Sequence, residues 1–248
     1  MRFQIYVRES WKEVLDKVIQ IGVPYTLEIR NIDTNRSPIT TALEYSHLEP
    51  DALVFQKVDL DNVEWYILFA DQLNVRRVVL PPPPSLEDIA KIYDTSIQYG
   101  IEINWIYGRP PMSRIVDVET AARVVKPTAA RIVYDPVYVK GMKELYSDIV
   151  ALGGFIREIF LSNRRGQRGP RLPPFNPLGV INYVEVLHAL YLLQWEGRLT
   201  IRQSPAYITE LDLQLRLGAE VLETAKGAGV SKKVQKRISK ILEELMSQ

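Results

Sequence analysis

The sequence predicts an α/β protein in which eight β-strands alternate with helices and close into a single (β/α)₈ barrel. Short runs rich in β-branched and aromatic residues alternate with amphipathic segments of helix length along the whole chain. Eight such pairs can be counted, and the 248 residues match the size of one barrel. Because composition does not change along the chain, we expect one barrel domain over residues 1–226.

The predicted strands are short and mostly apolar on at least one face, as parallel strands covered by helices should be. In chain order they are Phe3–Val7, Tyr25–Ile29, Leu53–Lys57, Arg77–Leu80, Glu102–Ile106, Arg131–Tyr134, Ile156–Leu161 and Leu199–Ile201. The predicted helices between and after them are Trp11–Ile21, Thr41–His47, Asp61–Leu73, Leu86–Tyr99, Val118–Val125, Val139–Leu152, Tyr183–Leu193 and Ile208–Ala225. Gly22 and Gly100 suit helix C-termini, whereas Ser85 and Asn182 suit N-caps.

One further helix is predicted in the last segment, residues 227–248, with Ser231 as its N-cap. Val234 and Ile238 belong to its apolar face, and lysines and arginines crowd its first two turns. We favour packing of this helix on the barrel. A homodimer contact and a contact with nucleic acid remain the alternatives.

Strand alternation places polar side chains together on one face of four strands. These sets are Gln4, Tyr6 and Arg8; Thr26, Glu28 and Arg30; Arg131 and Asp135; and Thr200 and Arg202. The outer face of a barrel strand must be apolar to meet the helices, so the polar sets should point inward. Buried charges need partners. We therefore expect Arg8, Glu28, Arg30, Asp135 and Arg202 to neutralise one another at the mouth of the barrel.

Composition excludes several kinds of chemistry. The formal net charge is only +1, so nothing global recruits nucleic acid or a membrane. The chain has no cysteine and two histidines, which excludes disulfides, thiolate chemistry and any multi-histidine metal site. No apolar run is long enough to span a bilayer, and a strand pattern begins at Phe3. We expect a cytoplasmic protein, and the proline-rich, cysteine-free composition leans toward a thermophile.

Five segments together form a recognisable pattern: Ala70–Val79, Tyr134–Pro136, Ile156–Gly166, Leu178–Tyr183 and Gln194–Arg202. This pattern resembles the xylose isomerase-like superfamily of sugar phosphate isomerases and epimerases. The resemblance implies a TIM barrel with a divalent metal ion at its mouth, held by carboxylates and a histidine from strands five to eight. It also extends to family 2 AP endonucleases, whose metal clusters need histidines that this chain lacks.

The metal ligands that the resemblance implies are mostly replaced here. The glutamate of strand five falls at Trp105 or Ile106, while strand six keeps Asp135 but has Val137 and Tyr138 where the family has histidine. Strand seven has Phe160 for histidine and Asn163 for aspartate, and strand eight has Arg202 for glutamate. Because a fixed cation disfavours a bound metal, we expect no metal cofactor. We expect Arg202 to pair with Glu28 instead.

Loops that follow the strands of such a barrel carry its function. The loop Ser162–Arg171 contains four arginines and no acid, which favours an anion, and Arg109 and Arg114 follow strand five. The candidate anion-binding or substrate-binding residues are Arg8, Arg30, Arg109, Tyr138, Asn163, Arg164, Arg165 and Arg202. A solvated, mobile loop is the alternative for the arginine-rich segment.

Two functions remain open from the sequence. The first is an isomerase or epimerase with altered or lost metal dependence, in which Glu28 and Asp135 are the catalytic candidates. Pairing with arginine would lower the pKa of both carboxylates and make them poor bases. The second is a non-catalytic barrel that binds a small anionic molecule such as a sugar phosphate or nucleotide, a partner protein, or nucleic acid.

Overall fold

A computed structural model describes residues 1–81, 86–108, 121–122, 131–166 and 170–246. Eight strands form a closed parallel barrel in chain order, which confirms the predicted fold class. The strands are β1 (Arg2–Arg8), β2 (Tyr25–Ile29), β3 (Ala52–Phe55), β4 (Arg77–Leu80), β5 (Glu102–Gly108), β6 (Arg131–Asp135), β7 (Ile156–Leu161) and β8 (Arg198–Ile201). Each overlaps the strand predicted at that place.

Eight α-helices lie within the described residues. They are α1 (Lys12–Ile21), α2 (Pro38–Tyr45), α3 (Val63–Gln72), α4 (Leu86–Gln98), α5 (Met142–Leu152), α6 (Tyr183–Leu192), α7 (Leu211–Ala228) and α8 (Lys232–Met246). The predicted helix Val118–Val125 falls outside the described residues except for Ala121 and Ala122, which are helical. None of the described helices is both long and apolar enough to cross a membrane.

Local chemistry explains where the helices begin and end. Gly22 ends α1 with a left-handed φ of 71°, and its N–H binds the carbonyl oxygens of Val18 and Ile19. Asn182 caps α6 by accepting a hydrogen bond from the N–H of Glu185. Helix α2 begins at Pro38, earlier than predicted, because proline suits the first turn of a helix. Ser85 lies outside the described residues.

The chain divides into two compact units. The first unit comprises residues 4–133 and the second comprises residues 134–248 together with residues 1–3. In the first unit, aromatic rings pack between β3 and α3, with Trp65 stacked on Phe69 at 5.2 Å. In the second unit, Val234 and Ile238 of α8 are buried against Tyr146 of α5 and Ala189 of α6. Helix α8 is thus a packing helix of its own unit.

Strand register brings polar side chains of the first unit onto one face. Tyr6 lies opposite Thr26 and Arg8 opposite Glu28 in the parallel pair β1 and β2. Gln4 donates to Thr26 at 3.0 Å and accepts from Arg77 of β4 at 3.3 Å. The polar sets predicted for β1 and β2 therefore contact each other.

In the second unit, the corresponding face of β7 and β8 contains a buried acid that the sequence did not single out. The hydroxyl of Thr200 donates to Glu158, which lies fully buried on β7. Phe160 lies opposite Thr200 in the register of the two strands. This face ends at Arg202, directly after β8.

Candidate functional site

The first unit contains a buried carboxylate that accepts from three donors among the described residues, near the ends of β1 and β2. We call Tyr6, Arg8, Glu28 and Arg30 the Glu28 cluster. Glu28 has no exposed surface. Its Oε2 accepts from Nε of Arg8 at 2.8 Å and from the hydroxyl of Tyr6, and its Oε1 accepts from Nε of Arg30 at 2.6 Å. A single carboxylate therefore fixes two guanidinium groups.

Strand geometry explains why these side chains meet. Tyr6 and Arg8 are two residues apart on β1 and so share a face. Glu28 lies on β2, and Arg30, two residues further on, directly follows that strand. The register places Arg8 directly opposite Glu28. Trp11, just before α1, lies under the Arg8 guanidinium at 4.7 Å from its ring centroid, a cation–π contact that further fixes the side chain.

The Glu28 cluster carries more positive than negative charge. It has two guanidinium cations and one carboxylate, and no other ion pair of Arg8 or Arg30 occurs within the described part of the chain. The side chains of Arg8 and Arg30 are 25% and 47% exposed, whereas Glu28 is inaccessible. The solvent-facing part of the cluster is therefore cationic.

The second unit contains another buried carboxylate at the end of β6. We call Asp135, Ser162, Arg171 and Arg202 the Asp135 cluster. Arg171 binds Asp135 through both terminal nitrogens, with Nη1 at 3.2 Å from Oδ1 and Nη2 at 2.8 Å from Oδ2. Nη1 of Arg202 donates to Oδ2 at 2.8 Å. The backbone N–H of Val137 donates to Oδ1 at 3.2 Å.

Arg202 is almost completely buried, and two neighbouring groups compensate the burial of its charge. It follows β8 directly, and its guanidinium carbon lies 5.0 Å from the ring centroid of Phe160 on β7. Stacking on an aromatic ring and bonding to a carboxylate both suit the planar guanidinium group. The sequence predicted that Arg202 would pair with Glu28; Arg202 binds Asp135, and Glu28 has Arg8 and Arg30 from its own unit.

Arg171 reaches Asp135 because the loop after β7 folds back on itself. Backbone hydrogen bonds join Asn163 and Leu172 in both directions, at 3.0 and 2.8 Å. This bridge places Arg171, next to Leu172, against both Asp135 and the hydroxyl of Ser162. In the sequence Arg171 is only one of four loop arginines, and its pairing with Asp135 cannot be predicted there, since only the fold creates the bridge.

Asn163, predicted as a ligand-binding residue, is committed to the loop. Its amide nitrogen donates to the carbonyl oxygens of Pro174 and Ile181, and its amide oxygen accepts from the N–H groups of Ile181 and Arg164. The side chain is fully buried. These four bonds use its hydrogen-bonding capacity, so the structure gives Asn163 a positioning role instead.

The other predicted ligand residues are placed only in part. Arg164 is half-buried and Arg165 is exposed at the beginning of the loop after β7. Arg109 and Arg114 lie outside the described residues, as does the side chain of Tyr138. On β5, the side chains of Glu102 and Asn104 are hydrogen-bonded and share one face of the strand. Because side chains alternate along a strand, Ile106 lies on this face and Trp105 lies on the opposite one.

Charge governs the protonation of Asp135. Burial alone would raise its pKa, but the positive charges of Arg171 and Arg202 outweigh burial and hold the pKa below its ordinary value. Nearby, the Tyr183 hydroxyl donates to the Ser162 carbonyl oxygen and accepts from its N–H. Burial raises the pKa of Tyr183 well above the ordinary value. Asp135 is therefore an ionised structural anion and a poor base near neutral pH.

The second unit does not suit the divalent metal ion of xylose isomerase-like enzymes. Both oxygens of Asp135 already accept from guanidinium groups, and a metal there would lie beside two fixed cations. Phe160 and Arg202 offer no metal-binding atom. Within the described residues, no group of three or more His, Cys, Asp or Glu side chains could hold a metal ion.

No family model matches the chain, and no curated protein is similar to it in sequence. Solved structures of similar fold do exist. A xylose isomerase domain protein from Planctomyces limnophilus is 12% identical with a TM-score of 0.65, over 92% of this chain and 98% of the other. D-psicose 3-epimerase from Clostridium cellulolyticum H10, solved with D-tagatose, is 12% identical with a TM-score of 0.63, over 90% and 99%.

A third structure widens the range of activities found on this fold. An AP endonuclease of family 2 from Brucella melitensis is 12% identical with a TM-score of 0.54, over 82% of this chain and 93% of the other. At such identities the likeness establishes architecture and leaves activity open. This chain therefore has the fold of the xylose isomerase-like TIM barrels.

Proposed function

We propose that this protein binds a small anionic molecule, with sugar phosphates as the leading class, and that it does so without a divalent metal ion. The observation that carries the proposal is the pair of partly exposed arginines, Arg8 and Arg30, on buried Glu28, which leaves net positive charge facing solvent. Independence from a metal ion is supported by Arg171 and Arg202 on Asp135, the one implied metal-ligand position that keeps an acid. Where the resemblance to xylose isomerase-like barrels implies a metal cation, this chain has guanidinium groups. Guanidinium groups suit the planar or tetrahedral oxyanions of carboxylates and phosphates.

A second candidate function is isomerase or epimerase activity that no longer depends on the metal. The likeness in fold to D-psicose 3-epimerase favours it. Asp135 is poorly suited to remove a proton, because its pKa is lowered by two arginines. Glu28, the other catalytic candidate, is buried beneath Tyr6, Arg8 and Arg30. Binding without catalysis is therefore the function that the geometry favours.

Calorimetric titration of the EDTA-treated protein tests the proposal. Fructose 6-phosphate and fructose form a matched pair of probes that differ in the phosphate group. We expect the phosphate ester to bind, the neutral sugar to bind much more weakly, and added Mn²⁺ to leave the affinity unchanged. Binding that appears only with Mn²⁺, or equal binding of both probes, would contradict the proposal.

Proton exchange separates the two candidate functions. Fructose 6-phosphate is incubated in D₂O with the EDTA-treated protein, and deuterium beside the carbonyl group is followed by NMR. Exchange above that of a protein-free sample supports the isomerase candidate. Absence of exchange in a sample that binds the phosphate ester supports binding alone.

A further inference from the structure

We infer that the Glu28 cluster is the subsite that grips the oxyanion of the ligand, through the terminal Nη groups of Arg8 and Arg30. Glu28 acts as a positioning residue that holds both guanidinium groups and does not touch the ligand. This inference rests on the proposed function and assigns its anion to one place in the first unit. The shared chemistry is a phosphate or carboxylate group that accepts hydrogen bonds from guanidinium.

The first support is the way the two arginines bind Glu28. Each uses its Nε, and each binds a different oxygen of the same carboxylate, at 2.8 and 2.6 Å. A guanidinium group has five N–H donors, of which Nε carries one. The four Nη groups of Arg8 and Arg30 make no other hydrogen bond to the described residues. They are therefore available to a ligand.

The second support is that contacts within the protein already fix the arginine side chains of the cluster. Glu28 and Tyr6 are buried, and the Arg8 guanidinium also rests on the ring of Trp11. Fixing a free arginine side chain on binding costs conformational entropy. In the folded protein the guanidinium groups of Arg8 and Arg30 are already held by Glu28, so they need little rearrangement to form charge-assisted hydrogen bonds with an anion.

The third support is a contrast with the Asp135 cluster. There the terminal nitrogens themselves bind the carboxylate: both Nη groups of Arg171 reach Asp135, and Nη1 also reaches Ser162. Arg202 is almost completely buried, whereas Arg8 and Arg30 are partly exposed. In the Asp135 cluster the terminal Nη groups bind the protein's own carboxylate, whereas in the Glu28 cluster only the Nε groups do. The Glu28 cluster is therefore the better oxyanion site.

Substitution of single arginines in the full chain tests the inference. The variants are Arg8→Gln and Arg30→Gln, with Arg36→Gln as the matched control. Arg36 belongs to the same unit, is 44% exposed and pairs with Glu44 away from the cluster. We expect each cluster variant to weaken binding of fructose 6-phosphate by about tenfold or more, the usual loss for a charge-assisted bond. The control should match the wild type.

Gluconate titrated in parallel separates the two sources of the oxyanion. If gluconate binds in an Arg8-dependent manner and fructose 6-phosphate does not, the ligand is a carboxylate; the reverse result indicates a phosphate ester. Full affinity for both probes in Arg8→Gln and Arg30→Gln would overturn the inference and leave the proposed function standing. A wild-type protein that binds neither probe would overturn the proposed function itself.

The positioning role of Glu28 has its own readout. Glu28→Gln replaces one accepting oxygen with a donor, so it cannot hold both Nε groups. We expect weaker anion binding together with shifted NMR signals of the Nε–H groups of Arg8 and Arg30, while backbone amide signals of the second unit stay in place. Shifted Nε–H signals with unchanged affinity would overturn this role. Tyr6→Phe, which removes one donor to Glu28, provides a milder variant that should lower affinity in the same direction.

Discussion

At the scale of single residues, Asp135 and Glu28 have the same kind of environment, although they belong to two different units. Each is a fully buried carboxylate, and each accepts hydrogen bonds from two arginines. Burying a single charge costs several kcal/mol unless a partner compensates it, so these contacts are conditions for folding. The two clusters differ in which guanidinium nitrogens bind the carboxylate, and this difference is why we propose the Glu28 cluster as the ligand site.

The sequence predicted part of this arrangement. Side-chain alternation predicted that Arg8, Glu28 and Arg30 lie on the polar, inward faces of their strands. Because a buried charge needs a partner of opposite charge, these residues were expected to pair with one another. The identity of the partners of Asp135 could not be predicted. Arg171 lies thirty-six positions further along the chain, and only the bridge between Asn163 and Leu172 brings it back. Local patterns contain no information on such a bridge.

Loss of the Asp135 charge should destabilise the protein strongly. Asp135→Asn leaves Arg171 and Arg202 without their anion, and breaking a buried pair in this way costs about 3–5 kcal/mol. We expect a fall of that size in the free energy of unfolding, measured by urea titration. The exposed pair of Arg76 and Asp71 gives the control, because Asp71→Asn should cost about 1 kcal/mol or less. Equal losses in both variants would contradict a structural role for the Asp135 cluster.

The lowered pKa of Asp135 gives a second prediction, for stability against pH. The unfolded carboxyl titrates near its ordinary pKa of 3.8 and the folded one below it, so the unfolded state binds the proton more tightly. The stabilisation is therefore fully present above that pKa and is lost as pH falls through the folded pKa. We expect urea midpoints to fall as pH drops below about 4, and to fall less steeply in Asp135→Asn. Parallel profiles of the two proteins would speak against it.

At the scale of elements, the loop between β7 and α6 is organised around the side chain of Asn163. Three hydrogen bonds of this amide join the beginning of the loop to Pro174 and Ile181 near its end, and a fourth is accepted from the N–H of Arg164. Gly179 packs against the amide so closely that a Cβ there would lie 2.0 Å from its side-chain carbon. Hydrogen bonds and close packing thus fix the conformation of the loop, which positions Arg171 against Asp135.

Gly179→Ala should therefore disrupt the loop. The added methyl group must displace the Asn163 amide, which breaks its hydrogen bonds and loosens Arg171; we expect a loss of about 1–3 kcal/mol in the free energy of unfolding. Gly154→Ala is the control, since a Cβ at Gly154 meets nothing within 4 Å. Thermal unfolding of the two variants provides the comparison. A control that loses as much stability as Gly179→Ala would refute this account of the loop.

At the scale of the whole molecule, the pattern of the chain was sufficient to predict the fold. The predicted bounds of β2, β4 and β7 are those of the structure, because short apolar runs with clear turn signals leave little choice. Helix α2 and the beginning of α7 were less well predicted, since Pro38 and a 3₁₀ turn at Pro205–Glu210 shift the helix starts. The barrel scaffold thus follows from periodicity, whereas the chemistry of its clusters follows from long-range contacts.

The central proposal is that Arg171 and Arg202 bind Asp135 at the position where the resemblance to xylose isomerase-like barrels implies a metal ion. Crystals of the full-length protein soaked in Mn²⁺ test it directly, because anomalous scattering locates manganese without ambiguity. We predict no manganese peak within coordinating distance of the Asp135 carboxylate, and Arg171 and Arg202 still bound to it. A manganese ion bound to Asp135 with the two arginines displaced would contradict the claim.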